Sequence, residues 1–256
     1  MNSCLLEGII SVKSAIEGNN RPIGKVYIDL KKRKQRDRKI MSFISYLNEK
    51  NVPYEFLERE KIDEISAKES FSGNTHGGVI AFAGERQYCD LEDMLKEAQN
   101  GEYFVYLDGV EDPYNFGYSL RAMYAMGASG FILPQRNMMS MPGAVARASA
   151  GASELCKIAI APGNDTDAAK IIKDCGVEIV CSALANDSVS VFEFCPQKPF
   201  VLFIGGEKRG ISKDFYDASD KKVHIPYERD VRYSLPTASV CAMYASHLSG
   251  LKNRKN

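Results

Sequence analysis

The stretch Asp108-Gly109-Val110-Glu111-Asp112-Pro113-Tyr114-Asn115-Phe116-Gly117-Tyr118-Ser119-Leu120-Arg121 holds the residue types best suited to chemistry in this 256-residue chain. It sits where a short apolar run hands over to a helical pattern. Pro113 sets the turn, Asn115 is a natural helix cap, and Gly117 allows close backbone approach in the first turn. Arg121 is expected to project from the start of that helix, near the carboxyl edge of the preceding strand. On spacing alone, Asn115 is a cap and Arg121 a surface ion-pair partner. A guanidinium holds its proton above pH ~12, so any catalytic use of Arg121 is as a forked cation first and as a proton acceptor second.

Two later segments add to it. Phe203-Ile204-Gly205-Gly206-Glu207-Lys208-Arg209-Gly210-Ile211-Ser212 ends an apolar run in glycines, a common way to bring backbone close to a flat ligand. It contains neither Gly-x-Gly-x-x-Gly nor Gly-Lys-Ser/Thr, so it is no standard nucleotide loop. A tight turn in which Glu207 caps a helix or pairs with Arg209 is the plain alternative. Further on, His224-Ile225-Pro226 and Tyr233-Ser234-Leu235-Pro236 bracket a loop ahead of the last helical pattern. The seven cysteines are scattered without a Cys-x-x-Cys pair, and the three histidines stand apart. That favours reduced thiols in a cytoplasmic protein and no metal site.

The elements that must position these residues fall into two groups. From residue 103 onward, short continuous apolar runs at 103–107, 130–133, 157–160, 178–181, 200–204 and 222–225 predict strands covered on both faces. Helical patterns lie between them at 117–126, 143–150, 167–175 and 237–251. The pattern is a doubly wound parallel sheet, with ligands expected beyond the carboxyl ends of its strands. Before it, helical spacing at 9–16, 41–48 and 62–66 alternates with strand patterns at 25–30, 52–57 and 78–83, an α/β sandwich of roughly 85 residues. The expected division is therefore residues 1–86, a linker at 87–100, and residues 101–256.

Composition bounds the rest. With 45% apolar and 26% charged residues the chain reads as globular. No apolar run approaches the ~20 residues that span a bilayer, and the N-terminus lacks the pattern of a signal peptide. Formal net charge is zero, but Lys31, Lys32, Arg33, Lys34, Arg36, Arg38 and Lys39 crowd one segment with a single acid, Asp37. Such a run is either a solvated loop or helix start, or a surface that releases counterions from RNA phosphates.

Taken in this order, the three segments resemble the SpoU (TrmH) branch of the SPOUT RNA methyltransferases. The segment Asn74-Thr75-His76-Gly77-Gly78-Val79-Ile80-Ala81 is similar to the end of that family's substrate-binding domain, itself ribosomal-protein-like. The resemblance implies S-adenosylmethionine-dependent methylation of a ribose 2′-hydroxyl in ribosomal or transfer RNA. It implies an α/β fold whose C-terminal domain is a parallel sheet with a deep trefoil knot, and whose N-terminal α/β domain recruits RNA. It implies that Asn115, Arg121 and Ser234 serve catalysis, Arg121 stabilising the developing alkoxide. The donor would lie against Ser182, Ala183, Leu184, Gly205, Glu207, Gly210, Ile225, Pro226 and Leu235. A homodimer is also implied, Arg121 of one subunit facing the donor site of the other, with no metal and no membrane.

One departure matters. The family usually carries Ser-Leu-Asn in its last motif, and this chain has Ser234-Leu235-Pro236, with Ala238 where Ser is common. Pro236 motivates a second reading, a catalytically impaired RNA-binding protein on the same scaffold. A third, an α/β enzyme acting on a small molecule, needs a nucleophile–base pair or a metal cluster that the sequence does not display. His76, outside the catalytic segments, is expected to be structural.

Overall fold

The computed structural model describes residues 4–69, 76–135 and 142–254. In chain order the elements are β1 (Cys4–Glu7), α1 (Ile9–Gly18), β2 (Ile23–Asp29), α2 (Leu30–Lys34), α3 (Arg38–Glu49), β3 (Tyr54–Leu57), α4 (Arg59–Glu69) and β4 (Val79–Ala83). They continue with α5 (Leu91–Lys96), β5 (Tyr103–Asp108), α6 (Pro113–Ala125), β6 (Gly130–Pro134), α7 (Pro142–Ala148) and α8 (Ala152–Leu155). The remainder are β7 (Ile158–Ala161), α9 (Asp165–Asp174), β8 (Glu178–Ser182), β9 (Val189–Ser190), β10 (Phe200–Gly205), α10 (Lys213–Ala218), β11 (Lys221–His224) and α11 (Thr237–Arg254).

These elements form two compact units. The first has a four-stranded sheet in the order β1-β4-β2-β3, with β4 antiparallel to both neighbours and β3 parallel to β2. Ile40, Phe43, Ile44 and Leu47 recur at helical spacing on α3 and bury one stripe against Leu6, Val26, Ile28 and Val79. Helices α7 and α8 belong to this unit. They lie beyond residue 101, where the sequence pattern alone begins the second domain. Ala146 of α7 joins the first unit's core, and a Cβ on Gly143 would sit 2.2 Å from the Leu5 carbonyl oxygen. Buried Glu154 of α8 lies 2.9 Å from Arg21 and 3.8 Å from Arg86, two buried arginines.

The second unit is a seven-stranded parallel sheet in the order β7-β6-β5-β10-β8-β11-β9. Strands β5, β6 and the first five residues of β10 are buried throughout, which is why they read as unbroken apolar runs. On one face Tyr106 and Phe203 stack with ring centroids 4.6 Å apart and meet Phe215 of α10, beside residues of α5 and α9. Residues on the alternate face, Tyr103 and Phe200, also stack, and Lys252 of α11 lies 5.3 Å over the Tyr103 ring. Helices α6 and α11 pack on each other, with Leu120, Met123, Tyr244 and Leu248 buried. Among the described residues, no helix is long and apolar enough to cross a membrane.

Candidate active site

Strands β10, β8 and β11 are neighbours and parallel, so their carboxyl ends open side by side. The ends of parallel strands are where α/β sheets bind ligands. A cavity of about 770 Å³ lies there, within the usual range of ~300–1,000 Å³ for small-molecule sites. Ser182 ends β8, and Ala183 and Leu184 follow it on one wall; Gly205 ends β10, and Glu207 and Gly210 follow it; Ile225, Pro226, Ser234 and Leu235 come from the loop between β11 and α11. The structure thus brings together ten residues singled out in the sequence from three separate segments. Ile204, His224 and Val240 add to the lining.

Close backbone approach explains the glycines. The Gly206 N–H donates to the Asp108 carbonyl at 2.6 Å, and the Gly210 N–H to the Gly206 carbonyl at 2.9 Å. A Cβ on Gly206 would meet the Gly109 carbonyl oxygen at 2.2 Å, and one on Gly205 the Gly210 carbonyl carbon at 2.3 Å. The loop is therefore wedged against the end of β5, where Gly205 is in register with Asp108. Glu207 does act as a cap: its carboxylate accepts from the Thr237 N–H at 3.4 Å, at the first residue of α11. Behind the wall, Tyr244 donates to the Val223 carbonyl at 2.7 Å. Burial pushes the Tyr244 hydroxyl up to about 12 and the Cys181 thiol up to about 12, so both stay protonated at neutral pH.

The segment leading into α6, and α6 itself, differ from expectation in two respects. The cap of α6 is Asp112, whose side chain accepts from the Asn115 N–H at 2.7 Å; Pro113 occupies the first helical position, and Asn115 lies inside the helix. Gly117 is buried within it, and Ser119 donates to the Asn115 carbonyl at 2.8 Å. Arg121 is exposed, about 12 Å along the helix from Pro113, and so lies well past the start of the helix. Asn115 and Arg121 are about 9 Å apart along the axis and about 120° apart around it. Neither lines the cavity.

Pro236 stands just before α11, its carbonyl accepting from the Ser239 and Val240 N–H groups at 2.8 and 3.1 Å. It precedes the first turn and leaves that helix intact. His76 is fully buried, with Nε2 2.8 Å from Asp63 and Nδ1 accepting from the Gly78 N–H at 3.1 Å. Asn74 and Thr75 lie outside the described residues. In the basic run, Asp29 caps α2, Asp37 caps α3, and Arg36 adopts a left-handed φ of 54° between them. Lys32 donates to the Gly77 carbonyl and Arg33 lies 4.3 Å over the Phe56 ring, while Lys31, Lys34, Arg36, Arg38 and Lys39 are exposed. Among the described residues no group of His, Cys, Asp or Glu could hold a metal ion.

The cavity also has a rim of Tyr227, Arg229, Arg232 and Tyr233, of which the sequence segments single out Tyr233 alone and give it no role. The only signal for it in the sequence is the density of Tyr and Arg between Pro226 and Ser234.

Comparison with known proteins agrees with this architecture. Residues 102–244 match the SpoU rRNA Methylase family, and residues 5–89 match the family described as RNA 2′-O ribose methyltransferase substrate binding. A Staphylococcus haemolyticus protein described as a putative TrmH family tRNA/rRNA methyltransferase is 28% identical over 232 residues, covering 88% of this chain and 87% of its own. An AdoMet-bound rRNA methyltransferase from Sinorhizobium meliloti superposes with a TM-score of 0.77 at 23% identity, over 96% of this chain and 86% of that one. The SpoU methyltransferase AviRb from Streptomyces viridochromogenes gives 0.77 at 19% identity, over 99% and 91%.

Proposed function

From a chain that belongs to the SpoU rRNA Methylase family, we propose a methyl transfer from S-adenosylmethionine to a ribose 2′-hydroxyl of ribosomal or transfer RNA. The observation that carries it is the cavity at the ends of β8, β10 and β11, built from three segments distant in sequence. Its lining suits the donor. Leu184, Ile225 and Leu235 offer apolar surface for a flat purine, Gly205 and Gly206 bring backbone N–H and C=O groups close, and Glu207 supplies a carboxylate. When bound, the donor supplies an electrophilic methyl on a sulfonium, so this chain's residues have only to hold and align the attacking oxygen.

Arg121 is assigned to the substrate oxygen and a neighbouring phosphate, where its fixed fork stabilises developing negative charge. Because Arg121 does not line the cavity of its own chain, a second copy is proposed to supply it, in a homodimer. Tyr114, Tyr118 and Arg121 recur at i, i+4 and i+7 on α6, and the tyrosines are 38% and 49% exposed. An aromatic stripe around a required cation suits a subunit contact. Asn115 and Ser234 are assigned to positioning the target ribose. The exposed part of the run at residues 31–39 is assigned to phosphate contacts, the first unit to RNA recruitment, and a trefoil knot to the threading of the cavity segments.

The test is incubation with tritiated S-adenosylmethionine and RNA from cells lacking the gene, followed by alkaline hydrolysis. Label in alkali-resistant dinucleotides supports 2′-O transfer. Label released entirely in mononucleotides points to base methylation and contradicts it.

A further inference from the structure

Residues 227–233, between β11 and α11, put two tyrosines and two arginines on the rim of the cavity. Tyr233 is 69% exposed and Tyr227 45%, and both arginines are exposed. Exposed tyrosines cost solubility and contribute nothing to a core. The loop is also held in shape, because the Tyr227 hydroxyl accepts from the Leu235 N–H at 3.2 Å and ties its two ends together. Tyr227 is thus a brace, which leaves Tyr233 as the open ring. Glu228 and Asp230 offset Arg229 and Arg232, so the loop is formally neutral. It has no charge to draw RNA in from a distance. What it offers is planar faces: a phenol ring and an adjacent guanidinium plane, both suited to stacking on a nucleobase.

We propose that Tyr233 and Arg232 form a stacking subsite for an unpaired RNA base beside the ribose to be methylated. This rests on the transfer proposed above. Bases in a duplex have their faces covered by their neighbours, and only a looped-out or single-stranded nucleotide can present one to the loop. The subsite therefore selects unpaired targets at the rim of the reaction cavity. The basic run of the first unit has a different part, reading charge without regard to pairing.

The probes are a fluorescein-labelled RNA hairpin with looped-out adenines and a fully paired duplex of equal length. Affinity for the full-length protein is read by anisotropy, and donor affinity by calorimetry on the same preparations. The wild-type chain is expected to bind the hairpin at least tenfold more tightly than the duplex. Tyr233→Ala should cut that preference to threefold or less, and Tyr233→Phe should restore it. Arg232→Lys, which keeps the charge and loses the plane, should behave like Arg232→Ala. Donor affinity should stay within twofold throughout, and the salt dependence of RNA binding should not change. A wild-type protein without hairpin preference, or a Tyr233→Ala protein that keeps it, overturns the inference. Weakened donor binding in Tyr233→Ala also overturns it, by assigning the loop to the donor. If the wild-type chain binds no donor, the transfer reading fails and takes this inference with it. Donor binding without hairpin preference sinks this inference alone.

Discussion

Glu207, in the loop after β10, caps α11 through the Thr237 N–H at 3.4 Å. The residue before Thr237 is Pro236, which has no side-chain oxygen to offer the helix. The cap therefore comes from a loop distant in sequence, and its carboxylate also faces the positive end of an 18-residue helix. Glu207→Ala should lower stability to urea by about 0.5–1 kcal/mol and weaken donor affinity, because Glu207 also lines the cavity. Glu207→Gln keeps an acceptor and should fall between the two. Unchanged stability and unchanged donor affinity in Glu207→Ala would show that this contact is incidental.

The glycines of the same loop should separate by their surroundings. Gly206→Ala drives a methyl into the Gly109 carbonyl, so it should destabilise by roughly 1–3 kcal/mol and abolish donor binding. Gly210 has a left-handed φ of 66° with nothing near its Cβ position, so Gly210→Ala should cost only about 1–2 kcal/mol of backbone strain. It should retain measurable donor binding. Thermal melts with paired calorimetry distinguish the two.

Arg121→Ala should reduce kcat at least 100-fold while leaving donor affinity within twofold, since Arg121 is not in the cavity wall. Mixing it with Gly206→Ala protein tests the proposed two-fold arrangement. Hybrid dimers would hold one intact site, with the donor pocket from one chain and Arg121 from the other. Recovered activity is the expected result, and two inactive proteins that stay inactive when demonstrably mixed would contradict it.

Replacing Lys34, Arg36, Arg38 and Lys39 together by Ser should flatten the plot of log affinity for RNA against log salt. Each lost phosphate contact should reduce the slope by roughly 0.7–0.9. These side chains are exposed and bury little, so the melting temperature should barely move. An unchanged slope would leave the run as a solvated helix start.

Buried thiols provide a pH test. Burial pushes Cys181 and Cys241 from 9.0 up to about 12. A folded-state value above the unfolded one favours the protonated native state. That stability is fully present below pH 9 and is lost as pH rises through 9 towards 12. Within that window each pH unit should remove roughly 1.4 kcal/mol per thiol. Native labelling with iodoacetamide should reach exposed Cys195 first, and Cys181 and Cys241 only on unfolding.

Much of the second unit was legible in the sequence because its central strands are buried on both faces and so appear as unbroken apolar runs. Strand β1 was not: four residues carry too little period to stand out. Helix α2 hid inside the basic run because it buries no residue. The cap of α6 was misplaced onto Asn115 since Asp and Asn cap equally well, although Pro113 immediately after Asp112 marks the true position. Helical spacing identified α7, but spacing cannot name a helix's neighbours, and α7 packs with the first unit. The donor-site segments were recognisable as motifs, whereas the Tyr and Arg rim depends on which strand ends lie side by side.

The most direct test is calorimetric titration of the wild-type chain with S-adenosylmethionine, alongside Gly206→Ala. Binding in the micromolar range at one site per chain, absent in the variant, is the expected result. A folded wild-type protein that gives no binding heat at millimolar donor would contradict the assignment of the cavity.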